Sequence, residues 1–295
     1  MPSTWPMDDK PAVEAGTLYL VATPIGNRAD ITLRALAVLE QADVVAAEDT
    51  RTSGRLLAGY GIQRGLVAYH EHNETRQAAR LLQELESGRS VALVSDAGTP
   101  LVSDPGYRLV AAAADRQIKI VPVPGASALT AALSASGLPT DSFVFAGFPA
   151  RRPGRRRRQL ESLAADRRTL IFFESPRRLL GLLEDLQQVM GNRQVVVARE
   201  LTKLHEEFIR GTVGHVICRL RDRPAIKGEV TLLVAGADKK NTAAGRQELD
   251  RALAAALEET GGSASAAASL VAQRLGTGRR LVYRRAVELK KARGS

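Results

Sequence analysis

Chemistry-bearing residues cluster just after short apolar runs. Pro24-Ile25-Gly26, Glu48-Asp49, His70-Glu71-His72 and Asp96 to Pro100 each follow such a run. A carboxylate or imidazole held at a strand end can take or give a proton. Glu48 and Asp49 can equally cap the helix that follows, and His70 can be an ordinary surface residue. Two histidines at i and i+2, in a chain whose single cysteine is Cys218, do not make a zinc site, so no metal is expected. The turn Thr23 to Arg28 holds one glycine, too few to cradle a pyrophosphate as a dinucleotide fingerprint does, and no Walker A motif is present. The stretch Val91 to Gly106 is the most informative. Its apolar run Val91 to Val94 reads as a buried parallel strand. Ala97, Gly98 and Thr99 then leave backbone groups open to a ligand, at the edge where open α/β sheets bind. Asp104 as cap and Pro105 at the first helical position predict a helix running to Arg116.

The elements that must position these groups alternate. Strands are predicted at Thr17 to Ala22, Val44 to Ala47, Leu66 to Tyr69, Val91 to Val94 and Ile118 to Val121, with helices between them. Strict β–α alternation implies a parallel sheet with right-handed crossovers. Pro122-Val123-Pro124-Gly125 reads as a hinge. Beyond it strand and helix mix less regularly, which predicts a mixed sheet. Arg151 to Arg158 contains six arginines and no acid, and is expected to be a mobile loop. Asp238 to Gly245 reads as a polar linker. Three short helices follow, with stripes Leu249/Leu253/Ala256, Ala267/Leu270/Val271/Leu275 and Val282/Ala286/Leu289. Gly276-Thr277-Gly278 separates the last two, and the final helix is basic, as in a helix-turn-helix. From Arg274 to Arg293 eight basic residues face one acid, Glu288. That one-signed charge suits nucleic acid; a helical cap with a solvated face is the alternative. The expected domains are a polar tail 1–14, an α/β domain 15–124, a second α/β domain 125–237 and a helical domain 238–295.

Composition sets outer bounds. The 295 residues carry a formal charge of +10, which favours a polyanionic partner, and 44% are apolar, enough for real cores. No run is long enough to span a membrane, and the polar N-terminus lacks the apolar stretch of a secretory signal. With one cysteine, a reducing cytoplasm is expected.

Five segments together resemble one family. Thr23-Pro24-Ile25-Gly26-Asn27, Ala47-Glu48-Asp49-Thr50-Arg51, Ser95 to Gly106, Pro124-Gly125-Ala126-Ser127-Ala128 and Phe173-Glu174-Ser175-Pro176-Arg177-Arg178 are similar to the ribosomal RNA small subunit methyltransferase I family. That family sits within the tetrapyrrole-methylase-like, class III S-adenosylmethionine-dependent methyltransferases, and the match runs from about Gly16 to the C-terminus. The resemblance implies two α/β domains with the cofactor in the cleft between them, plus the small all-α domain. It also implies a homodimer that methylates the ribose 2′-hydroxyl of a decoding-centre cytidine, on small-subunit ribosomal RNA or the assembled subunit. S-adenosylmethionine would meet Pro24, Ile25, Ala97, Gly98, Thr99, Val102, Ser127 and Ala128. Glu174 is also expected at the cofactor, where relatives carry an apolar residue. The proton-accepting aspartate of tetrapyrrole methylases falls on Glu48, and a lysine of some relatives falls on His70.

On that reading Glu48 is the first choice of base and His70 the second, with Asp49 and Lys203 in reserve; Lys203 could instead contact phosphate. Arg51, the run Arg151, Arg152, Arg155, Arg156, Arg157 and Arg158, and the C-terminal Arg279, Arg280 and Arg284 are the expected RNA contacts. Two other readings remain: a corrin or sirohaem-pathway methyltransferase of the same fold, and a non-catalytic RNA-binding assembly factor.

Overall fold

Continuous apolar runs along the strands of the first half require cover on both faces, and two helical layers supply it. The computed structural model describes residues 13–237, 239–275 and 279–293; the side chains of 239–248, 279–281 and 291–293 are outside the description. The chain divides into two units, one running to residue 131 and including 200–206, the other holding the remainder.

In the first unit the elements run β1 (Leu18–Val21), α1 (Leu33–Gln41), β2 (Val44–Ala47), α2 (Thr50–Ala58), β3 (Leu66–Ala68), α3 (Glu74–Glu86), β4 (Val91–Val94), α4 (Tyr107–Asp115) and β5 (Ile120–Val123), with α5 (Ala128–Ser136) next. The five strands are parallel, in the order β3-β2-β4-β1-β5. Alternate residues enter different cores. Tyr19, Val21, Val45, Ala47, Ala92 and Val94 pack with Val38 and Leu39 of α1 and Leu57 of α2. Leu18, Val44, Ala46, Val91 and Leu93 pack with Leu81 and Leu85 of α3 and Leu109 of α4. This period-two division puts both faces out of water and leaves the strand ends as the accessible edge.

The second unit contains β6 (Phe143–Phe145), α6 (Pro153–Leu163), β7 (Thr169–Glu174), α7 (Pro176–Met190), β8 (Gln194–Arg199), β9 (Glu207–Thr212), α8 (Val213–Arg221) and β10 (Val230–Val234). Its sheet has the order β6-β7-β10-β8-β9, with β6 and β7 parallel and the other pairs antiparallel. The mixed sheet is thus as expected. Three helices end the chain: α9 (Lys239–Glu259), α10 (Ala264–Leu275) and α11 (Arg279–Arg293). Leu253, Ala256, Ala267, Val271, Val282 and Ala286 form their core, so the apolar stripes do face one another.

Three local expectations are corrected, and one helix was not foreseen. The arginine run is helical: Pro153 occupies the first turn, where it costs no hydrogen bond, and arginine is a good helix former. Residues 239–245 belong to helix α9 and are not a linker; Asp238 lies outside the described residues, as do residues 1–12 of the expected tail and the turn Gly276-Thr277-Gly278. Helix α4 begins at Tyr107 after Gly106, whose φ is 137°, so neither Asp104 nor Pro105 plays its expected capping part. Helix α8 escaped the sequence reading, although Val213, Val216, Ile217 and Leu220 have helical spacing and Thr212 caps it.

Candidate active site at the carboxyl edge of the parallel sheet

Three loops after β1, β4 and β5 are laced together. Thr23 and Gly98 exchange both main-chain bonds, with N–O distances of 2.9 and 3.0 Å. The Thr23 hydroxyl donates to the Ser95 carbonyl (3.2 Å), and the Thr99 hydroxyl to the Ala126 carbonyl (3.3 Å). Gly98 has φ +81°, and a Cβ there would stand 3.3 Å from Ile25 Cγ2. A Cβ at Gly125 would meet that of Ala22 at 2.9 Å. Only glycine allows these backbones to close this far. Pro24 and Ile25 are buried beneath the junction, whereas Ala97, Thr99, Val102, Ser127 and Ala128 keep some exposure. These are small, mostly neutral residues presenting main chain, a lining that fits a small cofactor held largely through backbone groups. Backbone strain is concentrated here as well, since Leu101 and Ser103 both have φ +71°.

Glu48 follows β2 and is half-buried. Burial raises its carboxyl above the ordinary glutamate value; Asp104, Asp96 and Asp49 push the same way, and the Asp96 main-chain N–H offsets part of this. Burial also raises Asp104, against a hydrogen bond from Ser95 that lowers it. Asp49 is the opposite case. Its carboxylate caps α2 by accepting from the Arg51 N–H (2.8 Å), and it pairs with the Arg51 guanidinium at 3.2 Å. These bonds lower its pKa, and its own N–H donates to Asp96 Oδ1 (3.0 Å). Adjacent acids therefore behave differently: one has its affinity for a proton raised by burial and acidic neighbours, the other is committed as a cap.

His70 follows β3, and its imidazole is oriented by Asn73. Asn73 Oδ1 accepts from the His70 N–H (2.9 Å), while Nδ2 donates to the Ala68 carbonyl (3.0 Å). Those main-chain partners fix which end of the amide is nitrogen. Nδ2 then lies 3.2 Å from His70 Nε2, which is placed to accept from it. Nδ1 is buried without a partner. Asn73 is the residue the sequence reading missed; its position three after His70 was the available signal.

Lys203 lies in the segment 200–206 of this unit, with its Nζ 2.8 Å from Glu200 Oε1. Glu174 belongs to the other unit. It is 2% exposed, accepts from the Ser175 N–H (2.7 Å) and pairs with Arg178 at 3.0 Å, so it anchors the start of α7.

The arginines divide. Arg51, Arg151, Arg152, Arg155, Arg158 and Arg284 are exposed. Arg156 points inward, 7% exposed, with Nε 2.7 Å and Nη2 2.6 Å from Asp185 Oδ2. Arg157 shares that carboxylate at 2.6 Å but keeps about half its side chain in solvent. Arg156 is therefore withdrawn as an RNA contact. Arg279 and Arg280 fall on α11, but their side chains lie outside the described residues. Among the described residues no helix is long and apolar enough to cross a membrane.

Comparison with known proteins agrees with this architecture. Residues 17–217 match the family described as Tetrapyrrole (Corrin/Porphyrin) Methylases, and residues 243–290 match the RsmI C-terminal HTH domain. Ribosomal RNA small subunit methyltransferase I of Mesorhizobium japonicum is 50% identical over 278 residues, covering 94% of this chain and 93% of its own. The protein of the same name from Synechocystis is 45% identical, covering 93% and 98%. Among solved structures, uroporphyrin-III-C-methyltransferase of Thermus thermophilus aligns with a TM-score of 0.54 at 27% identity, over 75% of this chain and 94% of that one. A cobalt precorrin-4 methyltransferase aligns with a TM-score of 0.56 at 22% identity, over 75% and 95%, and shows the shared fold.

Proposed function

The chain belongs to the tetrapyrrole methylases and, within them, to the ribosomal RNA small subunit methyltransferase I family, and on that premise we propose that it methylates the ribose 2′-hydroxyl of a decoding-centre cytidine in small-subunit ribosomal RNA. The observation that carries the reading is the union, in one chain, of the methylase fold with the C-terminal helical domain. Relatives named for ribosomal RNA methylation span both parts. The solved tetrapyrrole methyltransferases cover only 75% of this chain, which disfavours a tetrapyrrole substrate. The laced loops and the raised Glu48 carboxyl disfavour a purely binding role.

S-adenosylmethionine is the proposed cofactor, and when bound it supplies an electrophilic methyl group on a sulfonium. Ala97, Gly98, Thr99, Val102, Ser127 and Ala128 would hold it, with Pro24 and Ile25 supporting them from beneath. A ribose hydroxyl is a weak nucleophile until its proton leaves. Glu48 takes that proton on its carboxylate: burial and its acidic neighbours raise its affinity for a proton above that of an ordinary glutamate, which makes it the better base. Asp49 is committed to Arg51 and the helix, and of the His70 nitrogens Nε2 is engaged by Asn73 while Nδ1 is buried. Lys203 is a poor base candidate, since an ammonium beside Glu200 has no lone pair to give. The exposed arginines grip phosphate without reading sequence, so the target is chosen at the site. A cytoplasmic homodimer is the assembly this reading expects.

Mapping ribose methylation in small-subunit RNA from cells with and without the protein tests the proposal. One cytidine should lose its 2′-O-methyl group in the protein's absence. An unchanged map, together with methyl transfer to a tetrapyrrole, would replace this reading with its alternative.

A further inference from the structure

The connection between β8 and β9, residues 200–206, groups with the first unit and not with the strands it joins. It is tied across the turn after β1. The Asn27 N–H donates to the Thr202 hydroxyl at 2.9 Å. A Cβ on Gly26 would stand 2.5 Å from Lys203 Cγ, 2.8 Å from Thr202 Oγ1 and 3.0 Å from the Leu201 carbonyl oxygen. The loop is also braced internally. Thr202 N–H donates to Glu206 Oε2 (2.6 Å), Lys203 Nζ to Glu200 Oε1 (2.8 Å), and Glu206 N–H to the Lys203 carbonyl (3.1 Å). Glu200 and Thr202 hold left-handed φ values of 52° and 64°, which branched and long side chains adopt only at a cost.

What this strained, over-determined loop presents is Leu204. Its neighbour Leu201 is 7% exposed, whereas Leu204 is 94% exposed, the highest value among the large apolar residues described. An isolated exposed leucine is ordinary on a floppy surface loop. Here, strain and four hydrogen bonds hold the loop fixed against the turn after β1, and exposing Leu204 adds nothing to stability. Strain maintained for no structural return points to function.

We propose that Leu204 is a substrate-positioning residue that packs on the sugar or base face of a nucleotide flanking the methylated one. This rests on the ribosomal RNA reading above. Lys203 is paired with Glu200 and Glu206 accepts from the Thr202 N–H, so the loop offers an apolar contact and not a phosphate clamp. It is anchored to the turn after β1, the same turn that is laced to the Gly98 loop of the candidate cofactor site. Unpaired RNA displays apolar faces of the kind such a side chain can cover.

The test compares Leu204→Ala and Leu204→Met with the unaltered protein, using small ribosomal subunits from cells lacking the enzyme as substrate. Leu204 is outside every core, so neither variant should affect folding. The Ala variant should raise KM for subunits about tenfold, the scale of one apolar side chain's burial, with kcat changed less than about twofold. The Met variant should restore KM. S-adenosylmethionine affinity by calorimetry and the sedimentation coefficient should not move. An unchanged KM in the Ala variant overturns the inference, as does a changed sedimentation coefficient, which would assign Leu204 to an interface between copies of this chain. If the unaltered protein transfers no methyl group to subunits, the functional reading fails and this inference fails with it; normal transfer with an indifferent Leu204 sinks the inference alone.

Discussion

Arg156 and Arg155 are neighbours in sequence and opposites in role, which makes them a direct test of the division between structural and RNA-gripping arginines. Arg156 is buried against Asp185, itself 2% exposed, and its Nη2 also donates to the Gly181 carbonyl at 3.0 Å. Removing one partner of a buried ion pair costs about 3–5 kcal/mol, because the other charge is left without compensation. In Arg156→Ala, Asp185 keeps Arg157, so a loss near the lower end, about 3 kcal/mol, is expected. A unit of this size shifts by about 2–4 °C per kcal/mol, which predicts a fall of about 6–12 °C in the unfolding midpoint. Asp185→Ala leaves two arginines unpaired, one of them buried, and should fall further. Arg155→Ala should leave the midpoint within about 2 °C, since surface substitutions change stability by less than about 0.5 kcal/mol. Thermal unfolding followed by circular dichroism gives the stabilities. A salt series of RNA affinity gives the second readout, where each lost phosphate contact lowers the slope by about one. Arg155→Ala should lower that slope and Arg156→Ala should not. The reverse pattern, a stable Arg156→Ala with a reduced salt slope, would refute the assignment of Arg156 to the fold.

Glu48→Gln should lose at least about a hundredfold in single-turnover rate while cofactor affinity holds. It should also raise the unfolding midpoint at neutral pH. A raised carboxyl pKa contributes stability only below the ordinary glutamate value and loses it as pH climbs through the raised value, so charged Glu48 opposes folding at neutrality and the variant's advantage should vanish in acid. An equal or lower midpoint at neutral pH would contradict the desolvation reading. His70→Asn keeps an amide donor near the Nδ1 position but cannot act as a base; it should stay within about tenfold of the normal rate, and a loss of a hundredfold or more would reinstate His70 as the proton acceptor. Ser103→Gly removes a left-handed penalty of about 1–2 kcal/mol and adds about 0.5–1 kcal/mol of unfolded-chain entropy, so a net gain of up to about 1.5 kcal/mol should appear in the urea midpoint. A loss of stability would mean that the serine side chain holds the loop.

Legibility followed the range of the interaction involved. Short apolar runs such as Val44 to Ala47 and Val91 to Val94 were readable as strands because burial on both faces leaves its mark within four residues. The stripes Leu253/Ala256 and Val282/Ala286 were readable because helical periodicity is equally local. The arginine run misled because its charge outweighed its helix propensity, and nothing in it shows that Asp185, 29 residues after Arg156, would draw one guanidinium inward. The tie between Asn27 and Thr202 spans 175 residues and leaves only a glycine as its trace. Glu48 and Asp49 show the limit most clearly. Both are acids at the end of one strand, and sequence offered each as cap or base. A carboxylate on a single methylene at the N-cap reaches the first-turn N–H groups of α2, so Asp49 takes that place and Arg51 completes its neutralisation. Glu48, one residue earlier, has no helix end to serve and is half-buried among Asp96 and Asp104. Burial and its acidic neighbours then give it the raised affinity for a proton that its partner lacks. The difference between a base and a cap therefore lies in one position of chain geometry, which residue type alone does not record.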